Sequence, residues 1–164
     1  MNRINTDESE KWHNAKKLTG FSYPWENDIP KPTTFSAVHD DSVLYCRFVV
    51  KDSTLVLADT IREELEISKE DRVEIYFSSD REMKEYYCME VDPKGRVLDY
   101  RASYYRQFDN SWKMEGIRSR EERTPEGYRV ELAIPIKNLP LKKAGQTKSI
   151  YAGLYRADLR IDRD

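Results

Sequence analysis

Apolar and polar residues alternate over much of the chain, which is typical of β-strands that bury one face and expose the other. The stretch 72–78 shows the pattern most clearly, because Val73, Ile75 and Phe77 alternate with more polar residues. The flanking stretches continue the alternation with few interruptions. It predicts at least eight strands, at residues 33–39, 43–52, 72–78, 86–92, 96–101, 112–117, 128–136 and 150–159.

Turn residues separate these strands at regular intervals. Asp92-Pro93-Lys94-Gly95 joins two of them, and its proline and glycine suit the corners of a tight turn. Only residues 57–67 have a helical spacing, over one or two turns. The sequence therefore predicts an all-β fold: an antiparallel β-sandwich or jelly roll with a short helical segment near 57–67.

Residues 20–32 break the alternating pattern, because the three prolines in this stretch exclude a helix. We expect an irregular segment that Phe21, Tyr23 and Trp25 anchor to the core. The length of 164 residues predicts a single domain, residues 1–164, with a substantial core.

Composition and charge exclude several classes of function. The chain mixes 28 basic with 30 acidic residues for a net charge of −2, so we expect no basic patch for nucleic-acid phosphates. Aromatic residues make up 12% of the chain, which argues against disorder. We expect no membrane span, because no apolar run approaches about 18 residues. The N-terminus also lacks the apolar centre of a signal peptide.

The strands at 72–78 and 86–92 raise the main functional question. If their apolar residues pack inward, the opposite faces carry tyrosines and carboxylates: Glu74, Tyr76, Tyr86, Cys88, Glu90 and Asp92. Tyrosine rings can stack on the apolar faces of sugars, and carboxylates accept strong hydrogen bonds from hydroxyl groups. The same residues also suit a plain surface, because cross-strand tyrosines stabilise a sheet. The pattern alone leaves both interpretations open.

Five stretches of the sequence resemble the family 9 carbohydrate-binding modules. They are the stretch from Trp25 to Asp52, DRVEIYFSSD (71–80), YCMEVDPKGRVLD (87–99), YRVELAIP (128–135) and GLYRAD (153–158). The resemblance implies a non-catalytic β-sandwich that binds the chain ends of an oligo- or polysaccharide, with structural calcium in some members. These modules occur on xylanases and other secreted bacterial proteins. The resemblance therefore implies an extracytoplasmic location, a role in polysaccharide utilisation and partner modules in a carbohydrate-active protein.

The resemblance also implies particular site residues. Glu74 matches an acidic residue that binds sugar hydroxyls, and Glu90 and Asp92 stand where well-known binders have arginine and asparagine. The two tryptophans that sandwich the sugar in those binders are replaced by Ser68 and Ile161. We therefore expect a rebuilt site, with Tyr104, Tyr105 and Tyr155 as further candidate rings. The predicted ligand-binding residues are Glu74, Tyr76, Glu90, Asp92, Arg101, Trp112, Arg156 and Asp158, the last matching a family asparagine.

Three aspartates, Asp40, Asp41 and Asp52, lie at the ends of predicted strands. Given the resemblance, they are candidate ligands for calcium, which prefers oxygen donors. The alternative is that they bond their own backbone in turns. Cys46 and Cys88 lack a zinc-like or redox spacing, so we expect buried free thiols, although a disulfide between them stays open.

Two other classes of function compete with sugar binding. A glycosidase would need a carboxylate pair such as Glu74 and Glu90, but carboxylates on an open sheet face are usually solvated, so we predict no enzyme. The other is a degenerate β-sandwich that serves as a protein-interaction or structural module. Aromatic rings in a concave patch beside Glu74 would favour sugar binding, whereas a cover formed by residues 57–67 would favour the structural role.

Overall fold

The computed structural model describes residues 9–144 and 147–159. They form one short helix, α1 (Ser9–His13), and two 3-10 helices, Glu64–Lys69 and Ile136–Asn138. They also form twelve strands: β1 (Lys17–Leu18), β2 (Thr33–His39), β3 (Val43–Val50), β4 (Arg72–Ser78), β5 (Glu85–Val91), β6 (Val97–Ser103), β7 (Gln107–Asp109), β8 (Arg118–Thr124), β9 (Gly127–Pro135), β10 (Lys142–Ala144), β11 (Thr147–Ser149) and β12 (Tyr151–Ala157). Within these residues, no helix is both long and apolar enough to cross a membrane.

Ten of the strands form two five-stranded sheets. The first sheet has the order β1-β2-β3-β9-β8, and the second has the order β12-β4-β5-β6-β7. All neighbouring strands are antiparallel, and β10 with β11 forms a separate hairpin. The predicted antiparallel β-sandwich is therefore confirmed.

The inner faces of the two sheets share one hydrophobic core. Alternate residues of β3 and β9 meet alternate residues of β4 and β5, and the buried set includes Cys46, Phe48, Val50, Val73, Ile75, Phe77, Met89, Val91, Tyr128, Val130, Leu132 and Ile134. Burying each large apolar side chain stabilises the fold by about 1.5–3 kcal/mol relative to leaving it exposed. This burial fixes which side chains of each strand point outward.

Both cysteines are buried and free, so the prediction of two buried thiols is confirmed. Cys46 lies in the core between the sheets, where burial raises the pKa of its thiol to about 12. Cys88 lies on the opposite face of the second sheet, where burial also raises its thiol pKa. Both thiols therefore stay protonated and unreactive at neutral pH.

Residues 112–117 do not form the predicted strand. Trp112 packs against Tyr87 with ring centroids 4.8 Å apart, and the Met114 N–H donates to Asp99 Oδ2 at 2.7 Å. Side-chain contacts therefore hold this segment in an irregular conformation. The strand that pairs with β9 here is β8, an exposed edge strand whose sequence R-S-R-E-E-R-T has no apolar alternation.

The predicted helical segment near 57–67 is confirmed only at its C-terminal end, as the 3-10 helix Glu64–Lys69, whereas residues 57–63 are not helical. Residues upstream of it are held by long-range hydrogen bonds: the Ala58 N–H donates to Glu70 Oε1 at 3.0 Å, and Lys94 Nζ donates to the Ala58 carbonyl at 2.7 Å. Ile67 in the helix is fully buried against the outer face of the second sheet. The segment therefore covers part of that face.

Candidate functional site

Tyrosine and carboxylate side chains meet on the outer face of the second sheet. Antiparallel pairing sets Tyr155 of β12 opposite Glu74 of β4, and Glu74 opposite Glu90 of β5. The three residues thus form one row across three strands, because side chains that pair across strands point to the same face. Arg72 and Tyr76 lie beside this row on β4. We call these five residues, Arg72, Glu74, Tyr76, Glu90 and Tyr155, the carboxylate face.

Arg72 links the two carboxylates of this face. Its Nη2 lies 2.8 Å from Glu74 Oε1, its Nε donates to Glu90 Oε2 at 2.5 Å, and its Nη1 donates to the Ser68 carbonyl at 2.8 Å. Tyr76 donates its hydroxyl proton to Glu74 Oε2 at 2.7 Å. The guanidinium is therefore held rigidly between two carboxylates on adjacent strands.

Burial sets the electrostatics of this network. Glu74 is 8% exposed and Glu90 is 5% exposed. Burial, together with the nearby charge of Glu74, raises the pKa of Glu90, while Arg72 and the Tyr100 hydroxyl oppose the rise. Burial also raises the pKa of Tyr76, so its hydroxyl remains a donor.

Aromatic rings line the open side of the carboxylate face. Tyr155 is 52% exposed, and its ring meets Tyr76 edge-on with centroids 5.1 Å apart. Tyr86 extends the cluster, with its centroid 5.5 Å from that of Tyr76. Gly153 lies beneath the Tyr155 ring, since a Cβ there would meet Tyr155 Cε2 at 3.0 Å. The strand therefore makes room for an exposed ring next to Glu74.

The 3-10 helix Glu64–Lys69 covers the other half of this outer face. Ile67 packs on Cys88, Leu98 and Tyr100 above β5 and β6. Glu90 lies under this boundary, whereas Tyr155 at the sheet edge stays open to solvent. The cover that was expected to favour a structural role is thus present over one half of the face, and on the other half an exposed aromatic ring lies beside Glu74.

Of the two positions that carry tryptophan in the well-known binders, the described residues include only Ser68. Ser68 lies in the 3-10 helix at the margin of the carboxylate face, where its hydroxyl donates to the Leu65 carbonyl at 2.7 Å. It supplies no ring. Ile161 lies outside the described residues.

Asp92 has a structural role in the turn between β5 and β6. It is fully buried, and it accepts hydrogen bonds from the backbone N–H groups of Lys94 and Arg96, both at 2.9 Å. Arg96 Nε also donates to it at 2.5 Å, and the same guanidinium lies 2.6 Å from Glu70 Oε2. These bonds account for its position without a ligand.

Arg101 and Trp112 lie away from Glu74. Arg101 is opposite Tyr87 in the pairing of β5 with β6, and Tyr87 is opposite the core residue Phe77. Arg101 therefore points to the inner side of the sheet, where it pairs with Asp109 at 2.9 Å. Trp112 packs on Tyr87 at the same end. The structure does not bring these two predicted residues to the carboxylate face.

Arg156 and Asp158 belong to a salt-bridge cluster at the end of the sandwich. The carboxylates of Asp52, Asp71 and Asp158 offer oxygens within 4.8 Å of one another. Lys31 Nζ lies 2.8 Å from Asp52 and 3.1 Å from Asp158, and the Arg156 guanidinium pairs with the same two aspartates.

These three carboxylates do not fit a calcium ion as they stand. Lys31 and Arg156 already neutralise two of them, and Asp71 accepts backbone N–H groups from Val56 at 2.6 Å and Leu159 at 2.7 Å. A calcium ion needs six to eight oxygen ligands, so it would have to displace both cations.

The aspartates predicted as calcium ligands are not brought together. Asp40 and Asp41 lie in the turn before β3 and Asp52 lies just after β3, so the length of that strand separates them. Asp40 caps its own turn by accepting the Ser42 and Val43 N–H groups, each at 2.8 Å. These bonds lower the pKa of Asp40 to about 2.

A groove that the sequence did not predict runs along β12. Its volume is about 940 Å³, and its other wall is formed by residues 17–26 together with Pro30, Lys31 and Thr33. Trp25 in this wall is 81% exposed, so the expectation that Trp25 anchors the segment to the core is wrong. Tyr155 lines the groove as well. In the sequence, Trp25 differs from the core aromatic residues only by its place in a proline-rich stretch without strand alternation, and that place does not determine its exposure. We call this feature the aromatic groove.

Comparisons with known proteins agree with this architecture. The family model described as "Carbohydrate family 9 binding domain-like" matches residues 4–159. A family 9 carbohydrate-binding module from Caldicellulosiruptor kristjanssonii, solved in complex with cellotriose, is 18% identical with a TM-score of 0.62, and the match covers 96% of this chain and 74% of that one. A structure of a family 9 module from the same organism in complex with glucose is 19% identical with a TM-score of 0.54, covering 96% and 75%.

Because these identities are 18% and 19%, the two solved structures are evidence for the fold of this chain alone. A search of curated protein sequences found no significant match. The family model spans nearly the whole chain, including both sheets and the carboxylate face. The chain therefore belongs to the carbohydrate family 9 binding domain-like family.

Proposed function

We propose that this family 9 domain binds a carbohydrate without catalysing a reaction on it, and that the sugar lies on the carboxylate face. The observation that carries the proposal is the row formed by Tyr155, Glu74 and Glu90, in which an exposed ring lies beside two carboxylates. A sugar has both apolar C–H faces and hydroxyl groups. The ring suits the first, and the charged groups suit the second.

The arginine of this network comes from a different strand than the resemblance implies, yet the chemistry of a sugar site is kept. The resemblance implies an arginine at the position of Glu90, whereas here β4 supplies the guanidinium from Arg72. A carboxylate and a guanidinium therefore still lie side by side. The guanidinium keeps one Nη2 N–H that can donate to a sugar oxygen, and the Glu74 oxygens keep lone pairs that can accept from sugar hydroxyls.

The relatives support a saccharide as the ligand. The family 9 modules from Caldicellulosiruptor kristjanssonii were solved with cellotriose and with glucose. Glucose and short β-1,4-linked chains are therefore the first sugars to test. We propose an extracytoplasmic setting beside other modules of a carbohydrate-active protein, because the modules that this chain resembles occur on secreted proteins.

The geometry of the carboxylate pair also fits binding rather than hydrolysis. A glycosidase needs one protonated carboxyl group and one free carboxylate that flank the bond to be cleaved. Here a single guanidinium bridges Glu74 and Glu90, and both are nearly buried. The proposal includes no cofactor and no calcium, because Lys31 and Arg156 already neutralise the acidic cluster at the end of the sandwich.

A structural or protein-interaction role is the second candidate. The cover formed by Ile67 and the replacement of a family tryptophan by Ser68 both favour it. A purely structural role leaves the exposure of Tyr155 unexplained, and a protein-interaction role predicts that this surface binds a protein but no sugar.

A glycan array followed by calorimetry tests the proposed function. The array should include glucose and oligosaccharides from cellulose, xylan and mannan, together with host glycans. Tyr155→Ala should weaken binding of any hit by about tenfold, because it removes the stacking ring. Tyr151→Ala is the matched control, since Tyr151 is 42% exposed and lies on the same strand. The Tyr151→Ala variant should bind the sugar as tightly as wild type does. Equal effects of both substitutions, or no hit on the array, would contradict the proposal.

A further inference from the structure

We propose that the aromatic groove is a second subsite for the same ligand, so that the ligand is a chain of several sugar rings. This inference rests on the proposed function, because the first rings of the chain would lie on the carboxylate face. The remaining rings would pass over Tyr155 and reach Trp25 along β12.

Tyr155 connects the two surfaces. Its ring packs edge-on against Tyr76 on the carboxylate face, and the same residue lines the groove. In the described part of the chain, β12 pairs with β4 on one side only, so its other edge borders the groove. A ligand can therefore leave the carboxylate face at the sheet edge without meeting another strand.

The groove contains the side chains that a sugar chain needs. Trp25 presents a large ring that is 81% exposed, in a segment that Pro24 and Pro30 restrict. Polar groups lie along the same wall and on β12: Lys31 Nζ lies 3.1 Å from Asp158 Oδ1, and the Tyr23 hydroxyl donates to Asp158 Oδ2 at 3.0 Å. Exposed rings beside fixed hydrogen-bonding groups match the mixed surface of a sugar.

The size and openness of the groove favour an extended polar ligand. Its volume of about 940 Å³ is close to the upper end of the range for ligand sites, which is roughly 300–1,000 Å³. A fully apolar ligand would desolvate the charged Lys17 in the groove lining. A peptide would instead add as a strand to the free edge of β12, and its binding would not depend on Glu74.

The length dependence of binding tests this inference. The probes are glucose, cellotriose, cellohexaose, xylotriose and xylohexaose, measured by calorimetry with the whole chain. Cellohexaose or xylohexaose should bind wild type about tenfold more tightly than the matching trisaccharide, as expected for one added ring-stacking subsite. Trp25→Ala should remove most of this gain.

Ile29→Ala is the matched control for Trp25→Ala. Ile29 is an apolar residue in the same segment, is 94% exposed and does not line the groove. Its substitution should leave the gain with chain length unchanged. Neither side chain packs in the core, so both variants should fold.

Tryptophan fluorescence gives a second readout. Trp12 is 9% exposed and Trp112 is partly buried, so acrylamide should quench Trp25 most strongly. The hexasaccharide should protect wild type from quenching, and Trp25→Phe should abolish that protection. The trisaccharide should protect less.

The outcomes separate this inference from the proposed function. If trisaccharide and hexasaccharide bind equally and Trp25 stays open to acrylamide, the groove is not a subsite, while a loss of binding in Glu74→Gln would still support the carboxylate face. If Trp25→Ala loses binding and Glu74→Gln does not, the proposed function is overturned, and with it the continuous path. If none of these sugars binds, both the proposed function and the second subsite are overturned.

Discussion

The outer faces of the two sheets both carry a nearly buried glutamate paired with arginine, yet they differ in what lies above the pair. On the first sheet, Arg47 lies 2.7 Å from Glu131, and the Trp12 ring of α1 covers the guanidinium at 4.0 Å. On the second sheet, Arg72 bridges Glu74 and Glu90, and part of the surface beside them stays open at Tyr155.

This difference shows that a buried arginine–glutamate pair is not by itself a binding site. Glu131 is 7% exposed and Glu74 is 8% exposed, so burial does not separate them. What separates them is the neighbouring aromatic residue. Trp12 is 9% exposed and covers one face, whereas Tyr155 is 52% exposed and stands free beside the other. The functional conclusion depends on that open ring.

The largest expected effect concerns stability, in Arg72→Met. The substitution leaves Glu74 and Glu90 buried without their cation, which should lower the free energy of unfolding by about 3–5 kcal/mol. Arg47→Met should cost less, because Glu131 keeps Arg129 at 3.4 Å. Denaturant unfolding of both variants measures the difference. A larger loss in Arg47→Met would contradict the assigned roles of the two networks.

The pH dependence of stability should also distinguish the second sheet. The pKa of Glu90 is raised in the folded state, chiefly by burial, so the folded chain binds that proton more tightly than the unfolded chain does. Its contribution to stability is therefore present below the unfolded pKa of about 4.3 and is lost as pH rises through the folded pKa. Glu90→Gln lacks this loss, so the free energy of unfolding of the variant minus that of wild type should increase as pH rises from about 4 to 7.

Asp40→Asn serves as a control of opposite sign. The folded pKa of Asp40 is lowered to about 2, so its contribution is present above its unfolded pKa and is lost as pH falls through about 2. Thermal unfolding from pH 2 to 7 measures both trends. A parallel pH dependence of the two variants would show that Glu90 is not held as described.

The smallest expected effect is that of a chelator. Arginine and lysine, rather than a metal ion, neutralise the carboxylates of Asp52 and Asp158, so EDTA should leave the melting temperature unchanged. Adding calcium should not raise it either. A rise of several degrees with calcium would show that the ion displaces Lys31 and Arg156.

The fold could be predicted from sequence where one strand face is apolar. Val73, Ile75 and Phe77 alternate with outward residues, and they lie in the core as expected. Residues 118–124 could not be recognised, because both faces of the edge strand β8 meet solvent and no alternation marks it. The strand expected at 112–117 does not form, because tertiary contacts bury Met114 fully and Trp112 partly in an irregular segment.

The site was predictable only within one strand pair. Glu74, Tyr76 and Glu90 share a face because β4 and β5 are neighbours, as their order along the chain suggested. The pairing of β12 with β4, which brings Tyr155 to Glu74, joins residues about 80 positions apart, and nothing local encodes it. The exposure of Trp25 was equally hidden, because composition cannot show which aromatic residues remain outside the core.

The most direct test of the central claim compares Glu74→Gln with Glu131→Gln by calorimetry against the best ligand from the glycan array. The two glutamates are matched in burial and in their arginine partners, and melting curves would confirm that both variants fold. Glu74→Gln should weaken sugar binding by at least about tenfold, because a charged acceptor is lost, and Glu131→Gln should bind as wild type does. Equal affinities in the two variants would contradict the claim that the carboxylate face is the sugar site.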